Sequence, residues 1–267
     1  MQTTPLFELD TVGYVQQGVS ILCGISWSAQ AGQHWALLGP NGSGKSTLLK
    51  IAAGYLWPTS GKVLRLGQEL LDLYSLRLST GWISADIVAQ IPSTETALET
   101  VVSGKFAQFG LRRLQSTTPT SDDFERAAIE LTRLECQGLA QRRFGVLSQG
   151  ERQQVLIART RMAGPSLLML DEPCAGMDPA VRERFLAWLA KRLDDPKFPT
   201  VLMATHHIEE IVPGMRQALF MKQGRIHRAG ATDEVVTAAT MEEVYDLPVA
   251  RIERCGGRNW PIWGEAS

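Results

Sequence analysis

Residues 6–38 consist of short apolar runs divided by polar residues and glycine, a pattern typical of β-strands. Strands are predicted at 6–9, 14–15, 20–22 and 25–27, and a further one at 63–67. Residues 35–38 form a continuous apolar run, as expected of a strand that is buried on both faces. The pattern therefore predicts an amino-terminal antiparallel β subdomain that leads into a buried core strand.

From about residue 86 the apolar residues are spaced at helical intervals instead. Helices are predicted at 95–109 and 122–134, with a surface loop at 115–121 between them. The later pattern predicts a helix at 151–162, a strand at 167–170, a helix at 179–193, a strand at 201–204, a hairpin at 218–225, and then a short helical segment and an irregular end. We therefore predict one α/β domain over residues 1–267 with a mixed sheet core, a helical insert at about 86–162 and a tail at about 231–267.

The predicted strand at 35–38 is followed by a glycine-rich loop and the start of a helix. This loop fits the phosphate-binding pattern G-x-x-x-x-G-K-[ST] at every fixed position. With the residue that follows the pattern, its members are Gly39, Pro40, Asn41, Gly42, Ser43, Gly44, Lys45, Ser46 and Thr47. A chance match in a turn rich in glycine and serine is the alternative, but the order strand, loop and helix favours a nucleotide site.

The residue types in this loop suit a phosphate group. Gly42 and Gly44 permit backbone conformations in which successive N–H groups point inward, and the helix that follows presents its positive end to an anion. Lys45 adds a charge for the β- and γ-phosphates, and Ser46 offers a hydroxyl to Mg²⁺. These residues therefore predict that the chain binds a nucleotide, without identifying the reaction.

Two adjacent carboxylates, Asp171 and Glu172, end the predicted strand at 167–170. On a sheet with a phosphate-binding loop, the first would hold Mg²⁺, directly or through water. The second would orient or deprotonate the water that attacks the γ-phosphate. The alternative is an ordinary strand that ends in an acidic turn, and the loop upstream favours the functional interpretation.

Residues 147–151, Leu-Ser-Gln-Gly-Glu, begin the predicted helix at 151–162. Ser148 and Glu151 have the spacing of a capping box, which is sufficient to explain a helix start. Gly150 in the first turn also leaves backbone N–H groups available to an anion. Both interpretations remain open on the residues alone.

Taken together, these motifs resemble those of the ATP-binding cassette (ABC) ATPase family, whose P-loop NTPase fold they imply. The segment 147–151 is similar to the family signature LSGGQ, with Gln149 in place of its second glycine and Glu151 in place of its glutamine. Asp171 and Glu172 resemble the Walker B motif, which runs into a D-loop with Asp178 as its aspartate. The signature residues implied to act on the nucleotide of a second subunit are Leu147, Ser148, Gln149, Gly150 and Glu151.

The resemblance also implies roles for residues outside these motifs. His206 resembles the switch histidine that contacts the γ-phosphate, so the implied catalytic residues are Lys45, Glu172 and His206. Tyr14 lies where an aromatic residue stacks on adenine, although packing on the core is its alternative. His207 is interpreted as a solvated neighbour of His206.

One position departs from the family pattern. The family has a glutamine near Mg²⁺ at the junction between the core and the helical insert. Counting along the chain places Ala85 at this position, and Gln90 follows five positions later. Either the loop is longer and Gln90 serves as a metal contact beside Ser46 and Asp171, or the contact is absent.

Composition limits the classes of partner. The net charge of −1 provides no basic field for nucleic acid or an anionic membrane. No apolar run approaches the length of a membrane-spanning helix, and no secretory signal is recognised, so the expected location is cytoplasmic. The four cysteines, at 23, 136, 174 and 255, lack metal-ligand spacing and are expected to be free thiols.

The family resemblance implies an ATPase that works as a head-to-tail dimer with a second copy of itself. Its partner would be an integral-membrane permease, with a substrate-binding protein in the case of an importer, and it would lie on the inner face of the membrane. The tail and the segment 205–214 resemble those of metal-chelate and molybdate importers. The alternative is a soluble ATPase that remodels a protein complex, as in iron–sulfur assembly. A small-molecule kinase or GTPase is disfavoured, because the segment 147–151 would then be unexplained.

Overall fold

The computed structural model describes residues 4–70, 72–112 and 118–265, so the loop predicted at 115–121 lies partly outside the described residues. The chain divides into two compact units, Met1–Asp72 with Leu186–Ser267, and Leu73–Phe185. The second unit extends beyond the predicted insert at both ends, because it also includes residues 73–85 before the insert and residues 163–185 after it.

The helices and strands follow in chain order as β1 (Phe7–Gln16), β2 (Val19–Ala29), β3 (Trp35–Leu38), α1 (Lys45–Ala52), β4 (Ser60–Arg65), α2 (Leu73–Ser79), β5 (Thr80–Ile83), α3 (Ala85–Gln90), α4 (Ala97–Ser103), α5 (Ser121–Arg133), α6 (Gln149–Arg161), β6 (Leu167–Asp171), α7 (Pro179–Leu193), β7 (Thr200–Thr205), β8 (Gln217–Lys222), β9 (Arg225–Ala231), α8 (Thr232–Val235), α9 (Ala238–Tyr245), β10 (Val249–Cys255) and β11 (Arg258–Trp263). The predicted helix at 179–193 is confirmed at both ends.

The first unit contains a three-stranded antiparallel sheet in the order β2-β1-β4. The separate short strands predicted at 6–9 and 14–15 are wrong, because they belong to one strand of ten residues. A shift in register between Leu9 and Val12, with φ of 49° at Thr11, lets the strand continue through polar residues. The predicted antiparallel subdomain is thus confirmed, with longer strands than its apolar runs.

The same unit contains the buried strands that carry the phosphate-binding loop. Strand β3 lies between the parallel neighbours β7 and β8, and β9 pairs with β8 in the antiparallel sense. All residues of β3 and β7 are buried, which explains why both read as apolar runs. The predicted mixed sheet is confirmed, and its central strand ends at the predicted nucleotide site.

Aromatic rings join the two sheets of the first unit. Phe7 and Trp27 meet edge to face with centroids 4.7 Å apart, and Trp27 and Trp35 do so at 5.5 Å. Such pairs contribute about 0.5–1.5 kcal/mol each beyond the area they bury. Next to them, the ring of His34 accepts the Val201 N–H and contacts the Leu193 carbonyl, and its burial lowers the pKa of His34.

The tail of the first unit is more regular than its sequence pattern indicates. The irregular end predicted beyond the helical segment is wrong, since β10 and β11 form an antiparallel hairpin. Cys255 pairs with Arg258 across a two-residue turn in which Gly256 and Gly257 have φ of 58° and 75°. Two glycines with positive φ are the preferred residues of such a turn, so the Gly-Gly pair was the available signal.

The second unit contains the parallel pair β5 and β6 and the helices α4, α5 and α6, which pack on one another. The helix predicted at 95–109 is shorter, because α4 ends at Ser103 and a 3₁₀ turn follows. At Gly104 a Cβ atom would lie 2.0 Å from the Arg159 carbonyl oxygen, so only glycine permits the close approach to α6.

Within the described ranges, no helix has the length and apolar character needed to cross a membrane.

Candidate functional site

The predicted phosphate loop, residues 39–46, connects β3 to α1 in the first unit. Gly39 directly follows the buried strand and has φ of 147°. A Cβ atom on Gly39 would lie 2.3 Å from the Met221 carbonyl oxygen of β8. Glycine is therefore required here both by the backbone conformation and by the neighbouring strand.

Helix α1 begins without a side-chain cap. Its N-cap residue is Gly44, with φ of 103°, and no side chain accepts a hydrogen bond from the first turn. The first N–H groups of any helix lack partners within the helix, so those of α1 are available to an anion. The hydroxyl of Ser43 is buried and has no hydrogen-bond partner among the described residues, which also fits a phosphate ligand.

Lys45 lies inside the loop and is 5 % exposed. Its ammonium donates hydrogen bonds to the carbonyl oxygens of Gly39 at 2.8 Å and Pro40 at 3.1 Å. The charge is therefore held at the centre of the loop before any phosphate arrives. Ser46 and Thr47 are half-buried in the same first turn.

Tyr14 lies on β1, opposite Leu22 of β2, and is half-buried. The half-exposed ring is compatible both with packing on the sheet and with stacking on a base. Its stacking role remains a prediction.

The two predicted carboxylates belong to the second unit, where Asp171 is the last residue of β6. Glu172 follows with φ of 51°, a conformation that residues with a Cβ rarely adopt. Backbone strain of this kind clusters at functional sites, although residues in ordinary turns of this chain, such as Gln17 and Gln223, adopt the same conformation. The side chains of Asp171 and Glu172 are both half-buried.

The signature segment has the geometry of a capping box, as its spacing predicts. Ser148 is the N-cap of α6, its N–H donates to Glu151 at 2.7 Å, and its hydroxyl accepts the Glu151 N–H at 3.3 Å. Arg142 also binds the Glu151 carboxylate at 2.6 Å. Burial alone raises the pKa of Glu151, but the bonds from Ser148 and Arg142 outweigh it and hold this pKa below its usual range.

The signature and the D-loop touch within the second unit. A Cβ atom on Gly150 would lie 2.8 Å from a methyl carbon of Val181, so glycine is needed for this approach. The side chain of Gln149 lies against Gly176, where a Cβ atom would be 3.0 Å from its amide nitrogen. Gln149, which departs from the family signature, thus contacts Gly176 of the predicted D-loop, and Leu147 is buried.

Asp178 has a structural function that its motif does not reveal. Its carboxylate accepts the Val181 N–H at 3.0 Å and so caps the first turn of α7. Asp178 is exposed, which leaves its surface accessible to a partner. Its D-loop role remains a prediction.

His206 follows β7 in the first unit, directly before His207 and the short turn Ile208–Glu210. The buried Thr205 hydroxyl donates to Glu210 at 2.5 Å and accepts the His207 N–H at 3.1 Å, which closes this loop on itself. The His206 carbonyl accepts a hydrogen bond from Tyr245 at 3.1 Å. His207 pairs with Glu209 at 3.1 Å, so it is more than a solvated neighbour.

Gln90 is the last residue of α3 and is exposed. Its amide nitrogen donates to the Asp86 carbonyl one turn earlier, at 3.0 Å. Ala85 is the first residue of the same helix, and the preceding Ser84 binds the indole of Trp82 at 2.9 Å. The role of Gln90 as a metal contact remains a prediction.

Several residues outside the motifs support them. Arg142 binds Glu151, and Arg152 binds the carbonyls of Phe144 and Gly145 before the signature. Glu210 and Tyr245 support the loop of His206. Sequence patterns did not reveal them, because a single arginine or tyrosine has no motif of its own.

Oxygen donors are present for a hard cation. Ser46 in the first unit and Asp171 in the second are residue types that Mg²⁺ accepts, and this ion usually keeps several waters and phosphate oxygens as its other ligands. The described residues include no group of three His, Cys, Asp or Glu side chains able to hold a metal ion by themselves. Ser46 and Asp171 are each therefore of a type suited to be one ligand of an ion that comes with the nucleotide.

Comparison with known proteins agrees with this arrangement of motifs. Residues 22–175 match the family described as ABC transporter. An uncharacterized ABC transporter ATP-binding protein, YlmA of Bacillus subtilis, is 36 % identical over 247 residues, which cover 91 % of this chain and 92 % of that protein.

Solved structures show the same fold. CbiO1 of Clostridium perfringens, part of the ABC transporter complex CbiONQ, is 27 % identical, with a TM-score of 0.75 and coverage of 90 % of this chain and 94 % of that one. A metal-chelate type ABC transporter in an inward-facing conformation has a TM-score of 0.76 at 24 % identity, covering 97 % of both chains. Nothing among these similarities favours a soluble remodelling ATPase.

Proposed function

The chain belongs to the ABC transporter family of ATP-binding proteins, and from this membership we propose that it drives transport through a separate membrane permease with the residues described above. Hydrolysis of ATP is the general activity of such cassettes. The phosphate loop supports the proposal most strongly. Its buried Lys45 ammonium, its Ser43 hydroxyl and the uncapped start of α1 together suit a nucleoside triphosphate.

In the proposed mechanism, Lys45 and the N–H groups of α1 hold the β- and γ-phosphates. Glu172 orients or deprotonates the attacking water, and His206 fixes the γ-phosphate. Catalysis then consists of positioning and charge stabilisation of an in-line transfer to water. Ser46 and Asp171 would hold Mg²⁺, which would supply positive charge to the phosphates.

We further propose a head-to-tail dimer in which Ser148 and Gly150 of one subunit face the nucleotide of the other. Such a two-fold interface uses the same surface on both copies. The exposed positions of Ser148 and Gln149 at the start of α6 support this proposal. Binding of ATP would close the dimer, and hydrolysis would release it, so that the permease experiences two states.

The proposed location is the inner face of the cell membrane, on a permease and, for an importer, with a substrate-binding protein. The experiment is to purify the tagged chain from detergent-solubilised membranes of its own cell. Transport predicts co-purification with a polytopic membrane protein in stoichiometric amount. Recovery of soluble proteins alone would contradict it, and the Lys45→Ala chain is the control for nucleotide dependence.

A further inference from the structure

The carboxyl-terminal part of the chain contacts the loop of His206 directly. Tyr245, the last residue of α9, donates its hydroxyl hydrogen to the His206 carbonyl oxygen at 3.1 Å, across 39 positions of sequence. We propose that Tyr245 is a positioning residue for ATP hydrolysis, which acts by fixing the backbone that carries His206. This inference rests on the proposed catalytic role of His206.

The ring of Tyr245 is itself held in place. Trp263 of β11 meets it edge to face, with centroids 5.7 Å apart and planes at 74°. Strand β11 also packs on the turn Ile208–Glu210, which follows the switch histidine. The tail therefore contacts this loop both at His206 and at the turn that follows.

The end of α9 is fixed to the strand beside the phosphate loop. Lys222, the last residue of β8, donates to the Glu243 carbonyl at 2.5 Å and to the Asp246 carboxylate at 2.7 Å. The preceding residue, Met221, is the one whose carbonyl faces Gly39. The end of α9 that carries Tyr245 is thus tied to β8, the strand that contacts the phosphate loop at Gly39, and Tyr245 in turn contacts the loop of His206.

The expected effect on the rate exceeds the effect on stability. Loss of one neutral hydrogen bond changes the folding equilibrium by only about fivefold. A catalytic group displaced by about 1 Å, in contrast, can lose up to about 100-fold in rate. The remaining contacts of the loop, through Thr205 and Glu210, limit its movement, so we expect a loss of about tenfold.

The test is the Tyr245→Phe variant of the full chain, which lacks only the hydroxyl oxygen. ATP hydrolysis is measured against ATP concentration with excess Mg²⁺, well below the unfolding temperature. We expect kcat to fall about tenfold, with the half-saturating ATP concentration within about twofold of the unchanged chain. Tyr55→Phe, at an exposed tyrosine of the same unit, is the matched control and should hydrolyse ATP normally.

A double-mutant cycle with His206→Ala separates positioning from general support. If Tyr245 acts through His206, the double variant is no slower than His206→Ala alone. The positioning role would be overturned if the losses of the two single variants multiplied in the double variant. It would also be overturned if Tyr245→Phe changed only the half-saturating ATP concentration and not kcat.

The single variants test the role of Tyr245 and the role of His206 separately. A slow His206→Ala with a normal Tyr245→Phe would refute the inference and leave the proposed function intact. An undiminished rate for His206→Ala would refute the catalytic role of His206 and, with it, the inference.

Discussion

Glu172 combines a carboxylate at the end of a buried strand with a backbone φ of 51°. Holding a residue with a side chain in this region costs about 1 kcal/mol or more, and the surrounding fold has to impose it. The position is therefore defined by the backbone as well as by its motif. A substitution that keeps the shape of the side chain should leave this backbone in place.

Replacing Glu172 by glutamine removes the base and keeps the side-chain volume. We expect turnover of ATP to fall by about 10²–10⁴-fold, because an amide does not accept the proton of the attacking water. Dimers that form with ATP should persist and last longer, since hydrolysis no longer releases them. Phosphate release and size-exclusion chromatography with ATP measure the two effects.

The control for this variant is Glu183→Gln, which neutralises an exposed carboxylate of the same unit. Its turnover should equal that of the unchanged chain. Ordinary hydrolysis by Glu172→Gln would remove Glu172 from the mechanism.

At the scale of elements, β4 and α1 are joined by Arg65, which is 4 % exposed. Its guanidinium donates hydrogen bonds to the carbonyl oxygens of Ile51 and Ala52, at the carboxyl end of the helix that starts at the phosphate loop. Burial lowers the pKa of Arg65, yet the negative end of the helix favours its charge. Arg65 therefore caps the carboxyl end of α1, opposite the end at the phosphate loop.

Arg65→Met should lower the free energy of unfolding by about 2–3 kcal/mol, because two helix carbonyls lose a charged donor. Urea unfolding followed by circular dichroism measures the change. Lys62→Met, at an exposed position of the same strand, is the matched control and should shift it by less than about 0.5 kcal/mol. Equal changes in the two variants would show that Arg65 does not support α1.

The elements that sequence patterns predicted well are those whose environment is uniform. Strands β3 and β7 are buried on both faces, so most of their residues are apolar. Pro179 marks the first turn of α7, so the start of this helix is visible in the sequence itself. Strand β1 was divided in the prediction, because its polar middle is accommodated by a bulge that apolar periodicity does not show. The β10–β11 hairpin was missed because β10 carries charged residues at exposed positions and β11 contains a proline, neither of which is typical of a strand pattern.

The candidate site shows the same division between local and distant information. The residues of the phosphate loop and the capping box of α6 are adjacent in sequence, so their spacing was sufficient to predict them. Arg142, nine positions before Glu151, and Tyr245, 39 positions after His206, support these segments, and no motif marks either residue. Counting positions along the chain also could not show that the Gln90 side chain donates a hydrogen bond to the Asp86 carbonyl of its own helix.

At the scale of the whole molecule, the proposed site needs two copies of the chain. Each copy brings a phosphate loop in one unit and a signature segment in the other. A variant that lacks the first and a variant that lacks the second are then inactive for different reasons. Mixing them distinguishes a shared site from one that is complete within a single chain.

Lys45→Ala and Ser148→Arg should each hydrolyse almost no ATP when purified alone. In an equal mixture, half of the dimers contain both variants, and each of these has one intact site. We therefore expect about a quarter of the rate of the unchanged chain. Hydrolysis that stays at the level of the separate variants would exclude a site shared between two copies.

The loop that carries His206 is closed by Thr205 and Glu210 and held by Tyr245 from outside. Fixing the backbone of one residue costs about 1–2 kcal/mol of conformational entropy at room temperature. In this loop that cost falls on the folding of the chain rather than on the binding of nucleotide. In the proposed mechanism the γ-phosphate meets a histidine whose backbone is already ordered, so more of the interaction free energy would remain available for the transition state.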